Sequence, residues 1–203
     1  MYNKNIKRKP VHSVDNGGSL WNEKVTLRRY DMKEILWLGR GGQGAFTAAK
    51  LLGAAFSSKD ENSYALAFPS FGPERRGAPV RAFTKLDSRV VSDRSETEKA
   101  DYIIILDDTL YNESLKNLLK DDGRVIINSK SEYGKSSLSV DADGIAEKFR
   151  LPTVNTVMLG VFSAVSGIVS AEDIGSAIDG YMPEKIRERN KQAVLAAYEE
   201  AVK

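Results

Sequence analysis

From residue 33 onward the chain alternates between short apolar runs and stretches in which apolar positions recur every three or four residues. Residues 34–39 (EILWLG) form an apolar run closed by glycine, the pattern of a buried strand. Phe46, Ala49, Leu52 and Ala55 then fall at helical spacing within 43–56. Residues 64–68 read as the next strand, and 80–86 alternate as a half-exposed strand at a sheet edge would. The plainest buried strand is 101–107 (DYIIILD), followed by a helical stretch over 112–119. Asp122-Gly123 predicts a turn into a strand at 125–128; a further strand is expected at 138–140 and a helix at 144–149. The remainder is helical in pattern, at 155–169, 171–181 and from 184 to the end. Pro152 and Pro183 punctuate it, and Pro183 stands where a first-turn proline is tolerated. Strands alternating with helices predict an α/β fold: a three-layer, Rossmann-like, mainly parallel sheet with helices on both faces and a helical C-terminal region.

Residues 1–32 carry no such period and are rich in Lys, Arg, Asn, Ser and Gly. They read as an arm preceding the domain at 33–203. Leu20, Trp21, Val25 and Leu27 give the arm something to bury on a partner, and Trp21 favours docking over a bare tail. The first ten residues are basic but no apolar core follows them, so a secretory signal is not expected and a cytoplasmic location is. No apolar run is long enough to span a membrane.

Composition narrows the chemistry. The chain contains no cysteine, which excludes disulfides, a thiolate nucleophile and a cluster held by its own thiolates. Its one histidine, His12, lies in the polar arm, so a His-based triad or zinc site would depend on that residue alone. Thirty basic against 28 acidic residues leave a net charge of +2, which does not point to nucleic acid. No residue is assigned a catalytic or metal-binding role.

Two segments carry candidate chemistry. Gly39-Arg40-Gly41-Gly42-Gln43-Gly44 satisfies G-x-G-x-x-G between a predicted strand and a predicted helix. Such a turn can present backbone N–H groups to an anion at the positive end of the helix, or can exist only to pack the helix on the sheet. A dinucleotide site would need an acid after the second strand. That strand ends Ala67-Phe68-Pro69-Ser70, and Asp60 and Glu61 precede it. Gly-Lys-Ser/Thr is missing, so the turn is not a P-loop. The second segment, loop 69–79, combines three prolines and two glycines with Phe71, Arg75 and Arg76. Its expected place at the carboxyl edge of the sheet lets two arginines grip phosphate or carboxylate groups; the alternative is a solvated turn.

Together these segments resemble the gamma subunit of the 2-oxoacid:ferredoxin oxidoreductases. The resemblance runs from about residue 34 to the end. It rests on Gly39, Gly41, Gly42, Gln43 and Gly44 with Thr47, on Pro69-Ser70-Phe71-Gly72-Pro73-Glu74-Arg75-Arg76-Gly77, and on Asn155 through Leu159-Gly160. It implies an enzyme that oxidatively decarboxylates a 2-oxoacid, pyruvate first among the candidates, to an acyl-CoA while reducing ferredoxin. Thiamine diphosphate, magnesium and iron–sulfur clusters then belong to partner chains, because the tasks are divided among alpha, beta, gamma and delta subunits. It also associates this chain with the complex interface and coenzyme A, and makes Gly39, Gly41, Gly42, Gln43, Gly44, Thr47, Ser70, Phe71, Arg75, Arg76 and Asn155 the candidate binding residues. The competing readings are a free-standing nucleotide-binding enzyme and a purely structural assembly subunit.

Overall fold

A computed structural model describes residues 32–70, 77–134 and 137–203. The expected arm, 1–32, lies outside the described residues except for Met32. The strands are β1 Lys33–Arg40, β2 Tyr64–Pro69, β3 Pro79–Asp87, β4 Ala100–Ile105, β5 Leu119–Asn128 and β6 Ser137–Val140. The α-helices are α1 Ala45–Ser57, α2 Ala142–Lys148, α3 Asn155–Ser166, α4 Ala171–Tyr181 and α5 Glu184–Ala201. The strands form a single six-stranded sheet in the order β2-β3-β1-β4-β5-β6. β1, β4, β5 and β6 pair in parallel, whereas β3 pairs antiparallel with both β1 and β2. The sheet is mainly parallel, as the alternation of elements predicts.

β3 departs from the expected edge strand. It lies between β2 and β1, and 82–87 are buried throughout. The polar residues that suggest an edge are instead satisfied inside. Trp37 Nε1 donates to Thr84 Oγ1 at 3.0 Å, and Thr84 in turn donates to the Ala49 carbonyl at 3.2 Å. Lys85, 2% exposed, lies 2.6 Å from Asp93 and 3.5 Å from Glu34. A buried polar side chain with partners is indistinguishable from an exposed one in a hydropathy pattern.

Helical segments cover both faces of the sheet, unequally. Ile35, Trp37, Ala82, Leu86, Ile104 and Ile126 point into the core formed with all five α-helices. Leu36, Leu38, Phe83, Ile103, Ile105, Val125 and Ile127 point the other way. There they meet Leu115, Leu110, Tyr111, Leu118 and Tyr133 from two 3-10 helices, Asp108–Leu110 and Glu113–Leu118, and adjoining loops. The helical stretch expected at 112–119 is thus a 3-10 helix. β5 begins earlier than expected, at Leu119, with a register break between Ala100 and Tyr102 that leaves the Asp122-Gly123 turn as a bulge within the strand.

The C-terminal helices stack on one another. A Cβ at Gly160 of α3 would lie 2.2 Å from the Val194 carbonyl oxygen of α5, so the two helices meet backbone to backbone there. Thr156 donates to Asn190 Oδ1 at 2.7 Å across the same interface. α4 opens with a capping box of Ser170 and Asp173. Among the described residues no helix is long and apolar enough to cross a membrane.

Candidate functional site

The parallel strands place their following loops along one edge, and the glycine motif stands there between β1 and α1. The turn is tight because Gly42 and Gly44 adopt φ of 100° and 80°. It is closed internally: Gln43 N donates to Arg40 O at 2.9 Å, and Arg40 N donates to the Gln43 side-chain oxygen at 2.6 Å. The return of loop 69–79 is laced to it, with Gly41 N donating to Ala78 O at 2.9 Å and Gly77 N to Gly41 O at 3.2 Å. Gly39 is buried at the end of β1, and Thr47 is half-buried in the first turn of α1. No side chain caps that turn, and it carries no acidic residue.

Asn155, at the start of α3, reaches the turn. Its Nδ2 approaches the Gly44 carbonyl at 3.4 Å, while its Oδ1 accepts from Thr153 Oγ1 at 2.8 Å and from Thr156 N at 2.9 Å. Gly44 has to be glycine on two counts. Its φ is left-handed, and a Cβ there would come 2.6 Å from Asn155 Nδ2. Ser70 stands at the mouth of loop 69–79, its amide donating to Arg81 O at 2.9 Å and its hydroxyl to Glu96. Phe71, Arg75 and Arg76 lie outside the described residues.

Beside the turn is a cleft of about 500 Å³ lined by Gln43, Asp107, Asp108, Asn128, Lys130, Asp143 and Thr153, among others. It is acidic. Asp107, Asp108, Asp141 and Asp143 border it, against Lys130 alone among the basic side chains. Each acid is engaged. Asp108 accepts from Ser129 at 2.6 Å and Tyr133 at 3.2 Å, Asp143 from Asn128 at 2.9 Å, and Asp141 caps α2 through Gly144 N at 2.9 Å. Asp107 accepts from the Thr109 amide and hydroxyl, from Gln43 Nε2 at 3.3 Å and from Arg40 Nε at 2.9 Å. Burial pushes the Asp107 carboxyl up, but Thr109, Gln43 and Arg40 outweigh it and hold the group below its ordinary value. Arg40 and Asp107 were not candidates on sequence grounds. The available signal was the Asp107-Asp108 pair closing the most apolar strand. Among the described residues no group of three or more His, Asp or Glu is placed to hold a metal ion.

Residues 34–200 match the family described as pyruvate ferredoxin/flavodoxin oxidoreductase. The chain is 45% identical over 178 residues to pyruvate synthase subunit PorC of Methanothermobacter thermautotrophicus, covering 85% of this chain and 97% of that protein. It is 39% identical over 184 residues to the pyruvate/ketoisovalerate oxidoreductases common subunit gamma of Thermococcus kodakarensis, covering 84% and 98%. The crystal structure of pyruvate oxidoreductase subunit PORC from Thermotoga maritima superposes with a TM-score of 0.72 at 32% identity, covering 84% of this chain and 97% of that one. The same fold occurs within a longer chain of a 2-oxoglutarate:ferredoxin oxidoreductase from Magnetococcus marinus, at TM-score 0.68, 17% identity and coverage of 85% and 31%. The chain therefore belongs to the pyruvate ferredoxin/flavodoxin oxidoreductase family, among its gamma, or PorC, subunits.

Proposed function

We propose that this chain is the gamma subunit of a pyruvate:ferredoxin oxidoreductase, working with alpha, beta and delta chains to convert pyruvate to acetyl-CoA with reduction of ferredoxin. The observation that carries the reading is the convergence of motifs at one place. Asn155 touches Gly44, and Gly41 is bonded to the return of the proline-rich loop, all at the N-terminus of α1. Pyruvate and ketoisovalerate, named for its relatives, support the substrate class. A chain without cysteine cannot ligate a cluster through thiolates, so clusters belong to partner chains together with thiamine diphosphate and magnesium. No described residue is given a catalytic role.

For this chain the proposed ligand is coenzyme A. The first turn of α1 has no side-chain cap, which leaves the backbone N–H groups of Ala45, Phe46 and Thr47 for an anion. Arg75 and Arg76 supply the cationic side chains. The acidic cleft beyond the turn repels phosphates, so these belong on the side of loop 69–79. A second reading, in which the turn only packs and the loop only docks, draws on the internal bonds that already occupy the Gly41 and Gln43 amides.

Purification of the tagged chain from its native cell, followed by viologen reduction with pyruvate and CoA, tests the subunit reading. Co-purifying cysteine-rich and thiamine-binding chains with CoA-dependent activity support it; a lone, inactive chain overturns it. Reversing the charge of Arg75 and Arg76 separates ligand from packing. Weaker CoA binding in an assembled complex supports the first, and failed assembly the second.

A further inference from the structure

The loop between β3 and β4, residues 88–99, has no regular structure of its own, yet it is tied to the sheet along its length. Asp87, its side chain 3% exposed, accepts from the Arg89 amide at 3.1 Å and stands 3.6 Å from the Arg89 guanidinium. Two residues earlier in β3, Lys85 donates to Asp93 at 2.6 Å and to Ser95 Oγ at 3.4 Å, and Asp93 accepts in turn from the Ser95 amide at 2.9 Å. Thr97 is buried and donates to Glu34 at 3.3 Å, and Glu96 accepts from Ser70.

Between the ties at Asp87 and Asp93 the loop presents Val90, 74% exposed. Next to the second tie stands Arg94, exposed and without a hydrogen bond or ion pair among the described residues. A lone exposed valine needs no explanation. A valine held on a long irregular loop that is fixed on both sides of it is a different matter. Stability does not account for the fixing, because an apolar side chain of similar volume serves as well as a buried paired lysine. What Lys85 adds is a set position for Asp93 and so for the stretch before it. A loop ordered in advance loses less freedom on meeting a partner, so more of its contact energy appears as affinity. Asp87 and Asp93 are answered by Arg89 and Lys85, which leaves Arg94 as the uncompensated charge. The complementary surface is an apolar patch bordered by a carboxylate.

We propose that loop 88–99 is a preformed docking element through which this chain binds another subunit of its oxidoreductase. Val90 enters an apolar patch there, Arg94 meets a carboxylate beside it, and Lys85 and Asp87 hold the loop in the docking conformation. This rests on the subunit reading above. Ferredoxin is the poorer occupant, because a chain without cysteine holds no thiolate-bound cluster for it to dock beside. A second copy is poorer too, because a loop meeting itself across a two-fold axis brings two Arg94 charges together.

Full-length variants compete with the wild-type chain, co-expressed in the native cell, for the other subunits. The ratio of the two in complex purified through one of those subunits reads relative affinity. Val90→Asp and Arg94→Glu are each expected to fall about tenfold behind, at an unchanged thermal midpoint of the chain. Lys85→Met is expected to fall about threefold behind and to speed amide exchange across 88–95 about tenfold. Incorporation of Val90→Asp and Arg94→Glu at the wild-type ratio overturns the docking role, and unchanged exchange in Lys85→Met overturns the anchor. A photocrosslinking amino acid in place of Val90 identifies the occupant. A crosslink to another subunit supports the proposal; one to a second copy or to ferredoxin alone, or none in an assembled complex, overturns it. If the wild-type chain itself enters no complex, the subunit reading has failed; if it enters and the variants enter equally, only the docking loop has.

Discussion

Asn155 Nδ2 lies 3.4 Å from the carbonyl oxygen of Gly44, a contact across 111 positions of sequence that joins the first turn of α3 to the glycine turn ahead of α1. Both helices start at the carboxyl edge of the sheet. The contact therefore sets how closely their two N-termini approach, and it leaves no room for a side chain at residue 44.

The first prediction tests that contact. Gly44→Ala should destabilise the full chain by about 2–3 kcal/mol, combining a left-handed backbone that alanine resists with a collision against Asn155. Adding Asn155→Ala should recover the collision and leave the backbone cost. Urea denaturation of the four species measures this as a cycle; equal losses in both backgrounds would remove Asn155 from the account.

The α3–α5 interface is predicted to be intolerant of bulk. Gly160→Ala would place a methyl group 2.2 Å from the Val194 carbonyl oxygen, so the helices would have to separate. A loss of about 2–3 kcal/mol, read as a lower thermal midpoint, is expected. A wild-type midpoint would mean that α5 shifts freely on α3.

Lys85 separates charge from volume. Lys85→Met keeps most of the packing near Phe68, and the groups it abandons have other outlets: Glu34 lies 3.5 Å from Lys120, and the Asp93 side chain is 56% exposed. That variant should cost less than about 1 kcal/mol, whereas Lys85→Ala, which opens a cavity under the sheet, should cost about 2–3 kcal/mol. Equal destabilisation in chemical denaturation would assign the stability to the ion pairs instead.

Acid should weaken the fold from a defined side. Burial pushes the Asp101 carboxyl up, but the hydrogen bonds from Lys120, Lys33 and the Glu34 amide outweigh it, and its value in the folded chain is lowered. Asp107 is lowered as well. A carboxyl that is more acidic when folded contributes stability that is fully present above its unfolded value and lost as pH falls through its folded value. The denaturation midpoint should therefore stay level from neutrality down to about pH 5 and drop below about pH 4. Asp101→Asn should lower the plateau and make the acid drop shallower; an unchanged acid limb would exclude Asp101 as its source.

Much of the element order was readable from neighbours in the chain. The runs at 34–39 and 101–107, the helical spacing from Phe46 to Ala55, and the punctuation by Pro152 and Pro183 all reappear as β1, β4, α1 and the starts of the C-terminal helices. Misreadings arose where a residue's environment came from elsewhere. The strand at 80–86 reads as half-exposed because nothing local announces Trp37 and Ala49 as partners of Thr84, or Glu34 and Asp93 as partners of Lys85. Leu119 was assigned to a helix because the pairing that makes it a strand belongs to Ala100.

The same division runs through the site. Gly39, Gly41, Gly42, Gln43 and Gly44 announced a turn because φ freedom and helix initiation are properties of consecutive residues. Asn155 entered only through the resemblance, and Arg40 and Asp107 not at all, because their roles exist only once β1 and β4 lie side by side and α3 starts beside α1. Periodicity and turn chemistry act over a few residues and can be read along the chain. Strand order, the burial of Lys85 and the joint at Arg40 depend on groups 8 to 69 positions apart, which only a folded sheet brings within hydrogen-bonding distance.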